Sequence, residues 1–232
     1  MARLLLIRHG QASFGAEDYD ALSDLGHEQA RVLGRVLAAR GVRPALALRG
    51  TMRRHEETLA GILEGLGARI PVVTDPGWNE FDFQHVVEIH RPHYRDRAAM
   101  LAELAGTDRP DRAFQEVFDA ATLRWCSGDH DADYIEPFAD FRGRITRALA
   151  QAAALLRRHR DILAVSSGGP IAMAAALLTT GPDGPAALWA ALNRVSVNTG
   201  VTKVISGRGG LSLSTFNEHT HAESDPRLLT YR

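Results

Sequence analysis

Residues 2–11, ARLLLIRHGQ, set four apolar side chains in a row, Leu4 to Ile7, directly before an arginine, a histidine and a glycine. An apolar run without polar alternation is the pattern of a strand buried on both faces, as in parallel sheets covered by helices. A strand is therefore expected over Arg3–Ile7, and it ends by handing Arg8 and His9 to a loop. A second stretch, DILAVSSGGPIAM at 161–173, repeats the layout with a strand over Ile162–Val165, a glycine turn and a helix start.

Working outward, strand and helix signals alternate. Ser23 is placed to cap a helix running to about Arg40 and stopped by Gly41. A short strand at Ala45–Leu48 precedes a helix marked by Leu59, Ile62, Leu63 and Leu66 and closed by Gly67. Ile70–Val73 reads as the next strand. Phe138, Phe141, Ile145, Leu149, Ala152 and Leu156 mark a long amphipathic helix, Ile171–Leu178 a helix of small residues, and Val201–Ile205 and Leu211–Phe216 two late strands. This order predicts an α/β fold, a three-layer α/β/α sandwich with a mostly parallel sheet. From about residue 84 to 135 the pattern loosens. That segment is expected to be a helical cap inserted into a single domain spanning 1–232, with too little apolar periodicity to close a core of its own.

Composition narrows the function. The 232 residues are 45% hydrophobic and 24% charged, with a formal net charge of −1, so no global positive field draws in nucleic acid or an anionic membrane. A single cysteine, Cys126, makes no internal disulfide. The apolar run at the start is too short for a secretory leader, and none approaches the roughly 18 residues of a membrane span. A cytoplasmic protein is expected.

In an open parallel sheet ligands sit at the carboxyl ends of the strands, and four segments leave such ends with reactive residue types. Arg8-His9-Gly10 joins a guanidinium that matches phosphate oxygens bidentately to an imidazole that is nucleophilic when its other nitrogen is held. Residues 49–58, RGTMRRHEET, put Arg53 and Arg54 at a helix N-terminus, itself attractive to anions. In WNEFDF, 78–83, Glu80 sits among aromatics that favour a proton-donating carboxyl. Ser167-Gly168-Gly169 forms a turn suited to cradling an anion. Asp129–Asp133 imitates the start of a calcium loop, but Tyr134 stands where glycine is needed, and His90, His93, His219 and His221 lack an accompanying carboxylate pattern for a metal.

Together with LSDLGHEQA at 22–30 and FNEHTH at 216–221, these segments resemble the histidine phosphatase superfamily in its phosphoglycerate-mutase-like branch, in order and over nearly the whole chain. The resemblance implies that His9 is a nucleophile carrying a transient phosphohistidine. Arg8 and Arg54 would bind phosphoryl oxygens, Arg54 rather than Arg53 because the family places its arginine four residues before the position of Thr58. Glu80 would be the proton donor, and Ser167 and Gly168 would belong to the phosphate cradle. No cofactor or metal is implied. The expected partner is a small phosphomonoester, and the oligomeric state is left open.

One position departs from the family. Where V-S-H-G-G is usual, Ser167 replaces the second histidine, which implies attenuated activity unless another imidazole substitutes. His85, His219 and His221 are the candidates considered for that part, and Ser167→His is expected to raise activity if the pocket has room. The leading reading is a phosphomonoester hydrolase. The alternative is a weakly active or inactive phosphate-binding regulatory protein. Mutase activity is disfavoured because the segment after Glu80 lacks a basic pattern for a second phosphate.

Overall fold

The opening apolar run forms β1 (Ala2–Arg8), with Leu4, Leu5, Leu6 and Ile7 all buried. The computed structural model describes residues 1–13, 20–182 and 184–231. The other strands among the described residues are β2 (Leu46–Arg49), β3 (Val72–Thr74), β4 (Asp161–Ser166), β5 (Val201–Gly207) and β6 (Gly210–Glu218), in the order β3-β2-β4-β1-β5-β6. The pairings β1–β4, β2–β4 and β2–β3 are parallel; β5 is antiparallel to both β1 and β6. The sheet is thus mostly parallel, with an antiparallel hairpin added at one side. Strand β3 begins two residues later than the expected Ile70. As an edge strand it leaves Val72 and Val73 nearly half exposed, so burial contributes little to fixing its limits.

The helices are α1 (Asp24–Ala39), α2 (Arg53–Leu66), α3 (Phe83–His90), α4 (Arg97–Ala105), α5 (Pro110–Cys126), α6 (Phe138–Leu156), α7 (Gly168–Thr180) and α8 (Pro185–Arg194). Ser23 caps α1 as its position predicts, its hydroxyl accepting the Gly26 amide at 3.1 Å. Gly67 ends α2 in the left-handed region at φ 63°. The apolar stripes of α1 (Ala30, Leu33, Leu37) and α2 (Leu59, Ile62) cluster with Leu5 and Ile7 of β1 and Leu163 and Val165 of β4. Because strand side chains alternate, Leu4, Leu6, Ile162 and Ala164 point to the opposite face, where all four are fully buried. Each fully buried leucine or isoleucine contributes about 1.5–3 kcal/mol relative to exposure, so β1 and β4 are rigid supports for whatever their ends carry.

Residue contacts divide the chain into two compact units, 1–80 with 145–232, and 81–144. The second contains residues 84–135, and large aromatics pack together within it. Trp125 stacks on Phe81 at 4.8 Å and meets Phe138 and Phe141 at 5.1 and 5.4 Å, while its indole N–H donates to the Glu136 carbonyl at 2.8 Å. A few large aromatics supply what aliphatic periodicity does not. Helices α3 and α8 are additions to the sequence reading. No helix among the described residues is long and apolar enough to cross a membrane.

Candidate active site

Sheet register brings the loops together. Arg8 pairs with Ser166 and Arg49 with Val165, so the chain leaves β1, β2 and β4 at one level. Backbone bonds extend this beyond the strands: His9 N donates to Ser166 O at 2.9 Å, Gly50 N to Val165 O at 3.3 Å and Asp75 N to Arg49 O at 2.8 Å. Strand β5 runs the other way, with Val201 opposite Ile7, which carries residues 196–200 to the same edge. All these segments belong to the unit 1–80 with 145–232.

His9 is 7% exposed, and its Nδ1 lies 2.7 Å from the carbonyl oxygen of Gly10. A carbonyl only accepts, so Nδ1 carries the hydrogen and Nε2 keeps its lone pair. Burial, then the positive charges of Arg54 and Arg8, then the neighbouring His55, hold the imidazole well below its usual pKa. His9 is therefore neutral, with its Nε2 lone pair available as a nucleophile. Its carbonyl accepts from Asn198 Nδ2 at 3.0 Å and from Thr199 N at 3.3 Å. Thr199 has φ 58°, a left-handed conformation that is costly for a β-branched residue. It is held there by its hydroxyl, which donates to Asn198 O at 2.6 Å and lies 3.0 Å from His221 Nε2. Residues 196–199 escaped the sequence reading because polar side chains in a loop have no periodicity to betray a structural task.

Arg8 donates from Nη1 to Ser196 O at 2.5 Å. Arg54 is 6% exposed and its Nη1 donates to Asp20 Oδ1 at 2.5 Å. Arg53, by contrast, points to the surface and pairs with Glu57 at 2.6 Å. The buried guanidinium near His9 is thus that of Arg54.

On the other side, Ser166 donates from Oγ to Trp78 O at 2.6 Å, tying the loop that carries Glu80 to the end of β4. Glu80 Oε2 accepts the Gly169 amide at 3.2 Å, placing the carboxyl at the N-terminus of α7. Trp189 of α8 steadies the same turn, donating to Gly169 O at 3.0 Å. Gly168 lies close to Arg8, since a Cβ there would fall 3.6 Å from Arg8 Nε and 2.9 Å from Asn193 Oδ1. The turn and the guanidinium form one electropositive wall. A neutral imidazole, two guanidiniums and a helix N-terminus suit a tetrahedral oxyanion. Among the described residues, no group of three or more His, Cys, Asp or Glu side chains is placed to hold a metal.

The model of the histidine phosphatase superfamily, branch 1, matches residues 4–219. The chain belongs to this superfamily. A 2,3-bisphosphoglycerate-dependent phosphoglycerate mutase from a Chelativorans species is 32% identical over 101 residues, covering 40% of this chain and 49% of that protein. The chain spans about half the length of the curated relatives it matches. Among solved structures, phosphoglycerate mutase from Bacillus anthracis superposes with a TM-score of 0.65 at 17% identity, covering 95% of this chain and 94% of that one. Phosphoserine phosphatase from Entamoeba histolytica in complex with phosphoserine gives 0.63 at 19% identity, covering 95% and 99%. At these identities the likeness establishes the fold.

Within this histidine phosphatase fold, the side chain that meets Ser167 comes from an unexpected place. The sequence reading considered His85, His219 and His221 as substitutes for the missing histidine. The structure brings His55 instead, fully buried, with Nε2 2.8 Å from Ser167 Oγ and its ring centroid 5.9 Å from that of His9. His85 accepts the Ile135 amide at 3.2 Å, His219 donates to Asn217 O at 2.5 Å, and His221 is engaged with Thr199. A signal for His55 existed: with Leu59 and Ile62 it lies at i, i+4, i+7, so it continues the buried stripe of α2 into the site. The His55 ring therefore stands directly beside the Ser167 hydroxyl.

Proposed function

We propose that this histidine phosphatase superfamily member is a phosphomonoester hydrolase acting on a small phosphorylated metabolite through a phosphohistidine at His9. The observation that carries the reading is the neutral, Nδ1-protonated His9, whose Nε2 lone pair lies in the field of Arg8 and Arg54. In the first step Nε2 attacks phosphorus as the ester P–O bond breaks, and Glu80 gives its proton to the departing alcohol oxygen. In the second step Glu80, now a carboxylate, takes a proton from water. The water oxygen bonds to phosphorus, the P–N bond breaks, and orthophosphate leaves. Charge gathers on the non-bridging oxygens throughout, so Arg8, Arg54 and the Gly168 turn act where it develops.

The names of the similar proteins include both mutases and phosphatases, so phosphoglycerate mutase activity is the second reading. A panel of phosphorylated metabolites, assayed with wild type and His9→Ala side by side, separates the possibilities. Release of orthophosphate that vanishes in His9→Ala supports the hydrolase. Interconversion of phosphoglycerates without orthophosphate release supports the mutase. A wild type that binds phosphate but turns nothing over would leave a phosphate-binding protein.

A further inference from the structure

Ser167 occupies the N-cap position of α7, where a serine hydroxyl ordinarily accepts an amide hydrogen of the first turn. Here its side chain caps nothing, and the Gly169 amide goes to Glu80 instead. Its hydroxyl meets His55, and both side chains are buried. A serine hydroxyl has one hydrogen to give, so the tautomer of His55 decides where that hydrogen points.

Gly50 settles the tautomer. An ideal Cβ on Gly50 would lie 2.3 Å from His55 Nδ1; the hydrogen occupying that direction on Cα therefore points at Nδ1. No hydrogen-bond donor or acceptor among the described residues reaches this nitrogen. A C–H aimed at a ring nitrogen is tolerated by a lone pair and opposed by an N–H. Nδ1 is thus the bare nitrogen and Nε2 carries the hydrogen. Nε2–H donates to Ser167 Oγ, which leaves the serine hydrogen to be donated elsewhere. The same assignment means that His55 does not act as a base toward Ser167, so the pair is not a serine nucleophile with its activating histidine.

We propose that His55 is a positioning residue for phosphoryl transfer: it fixes the Ser167 hydroxyl so that its hydrogen is donated to a phosphoryl oxygen held by Arg8 and Arg54. The pair, drawn from α2 and the start of α7, supplies together the hydrogen-bond donor that one imidazole on the β4–α7 turn would supply alone. Burial, with Arg54 and Arg49 nearby, keeps His55 neutral, as a one-hydrogen donor with a fixed direction requires. Gly50 belongs to the same device, since only a residue without Cβ leaves space for the ring.

The inference rests on the hydrolase reading, and its test is built to fail separately. kcat and KM on one alkyl phosphomonoester, and the Kd of orthovanadate by calorimetry, are measured for His55→Leu, His55→Gln, Ser167→Ala and His55→Leu/Ser167→Ala, alongside thermal melts. His55→Leu and Ser167→Ala are each expected to lose kcat on the order of 10²-fold, the lower end for one oxyanion donor, with KM nearly unchanged. The double variant should be no worse than Ser167→Ala, because His55 acts through the hydroxyl. His55→Gln, whose amide can donate to Oγ, should recover most of the loss, and vanadate affinity should follow the same ranking. Full kcat and vanadate affinity in Ser167→Ala, which deletes a single oxygen, would overturn the inference even if His55→Leu fails to fold. Losses that multiply in the double variant would overturn it as well. Failure of the hydrolase reading shows differently, as a wild type without turnover or one indifferent to His9→Ala.

Discussion

The Thr58 hydroxyl accepts the Gly10 amide hydrogen at 2.9 Å and donates its own to the Arg54 carbonyl at 2.6 Å. One fully buried oxygen thereby fastens the loop carrying His9 to the helix carrying Arg54 and His55. The distance between the His9 imidazole and the Arg54 guanidinium depends on that link.

Thr58→Val removes both bonds at nearly constant volume and leaves the Gly10 N–H buried without a partner. The expected cost is about 1–3 kcal/mol in chemical denaturation, with a fall in kcat larger than any change in KM. Thr58→Ser keeps both bonds and should stay close to wild type. Equal stability of the valine and serine variants would mean that the link contributes nothing.

Stability should decline as pH falls below neutrality. The pKa values of His9, His55 and His221 are all lowered in the folded chain, chiefly by burial, that of His221 to about 4. Below an unfolded value near 6.5 the unfolded chain binds more protons than the folded one, so unfolding is favoured as pH drops toward the folded value. His221, 5% exposed, accounts for up to about 3 kcal/mol of loss between pH 6.5 and 4, and none above that window. Melting temperatures from pH 7.5 to 5 should fall steeply in wild type and less steeply in His221→Gln. Parallel curves would count against the assignment.

Glu80→Gln should depress turnover strongly for alkyl phosphates and much less for p-nitrophenyl phosphate, whose leaving group needs little protonation. Equal losses on the two substrates would assign Glu80 to the α7 N-terminus alone, where it accepts the Gly169 amide.

Ser167→His, which the sequence alone suggests would raise activity, should lower it. The incoming ring meets His55, whose Nε2 already lies 2.8 Å from Oγ, and overpacking a closed site costs about 1–3 kcal/mol. Combining it with His55→Ala vacates the space and should restore stability and turnover above either single variant. A gain from Ser167→His alone would show that the two rings fit together.

Much of this was legible in the chain. Arg8 and His9 announce themselves because they break an apolar run that only a doubly buried strand explains, and Ser23 and Gly67 end helices by local chemistry. The family spacing to Thr58 singles out Arg54 rather than Arg53, and Arg54 is the buried one of the two. Other features had weaker signals. The unit 81–144 gathers Phe81, Trp125, Phe138 and Phe141 from distant positions, a pattern that no short window detects. Asn198 and Thr199 work through backbone contacts to His9, which depend on β5 lying beside β1. His55 was in plain view within RGTMRRHEET. Only the register of β2 with β4 shows that its ring reaches Ser167.

The central claim is that phosphoryl transfer passes through His9. Wild type mixed rapidly with a radiolabelled phosphomonoester substrate, quenched and digested, should yield a peptide containing His9 with a phosphoryl label that acid removes and alkali does not. His9→Ala should carry no label. An acid-stable label on the peptide containing Ser167, or undiminished turnover by His9→Ala, would contradict the account.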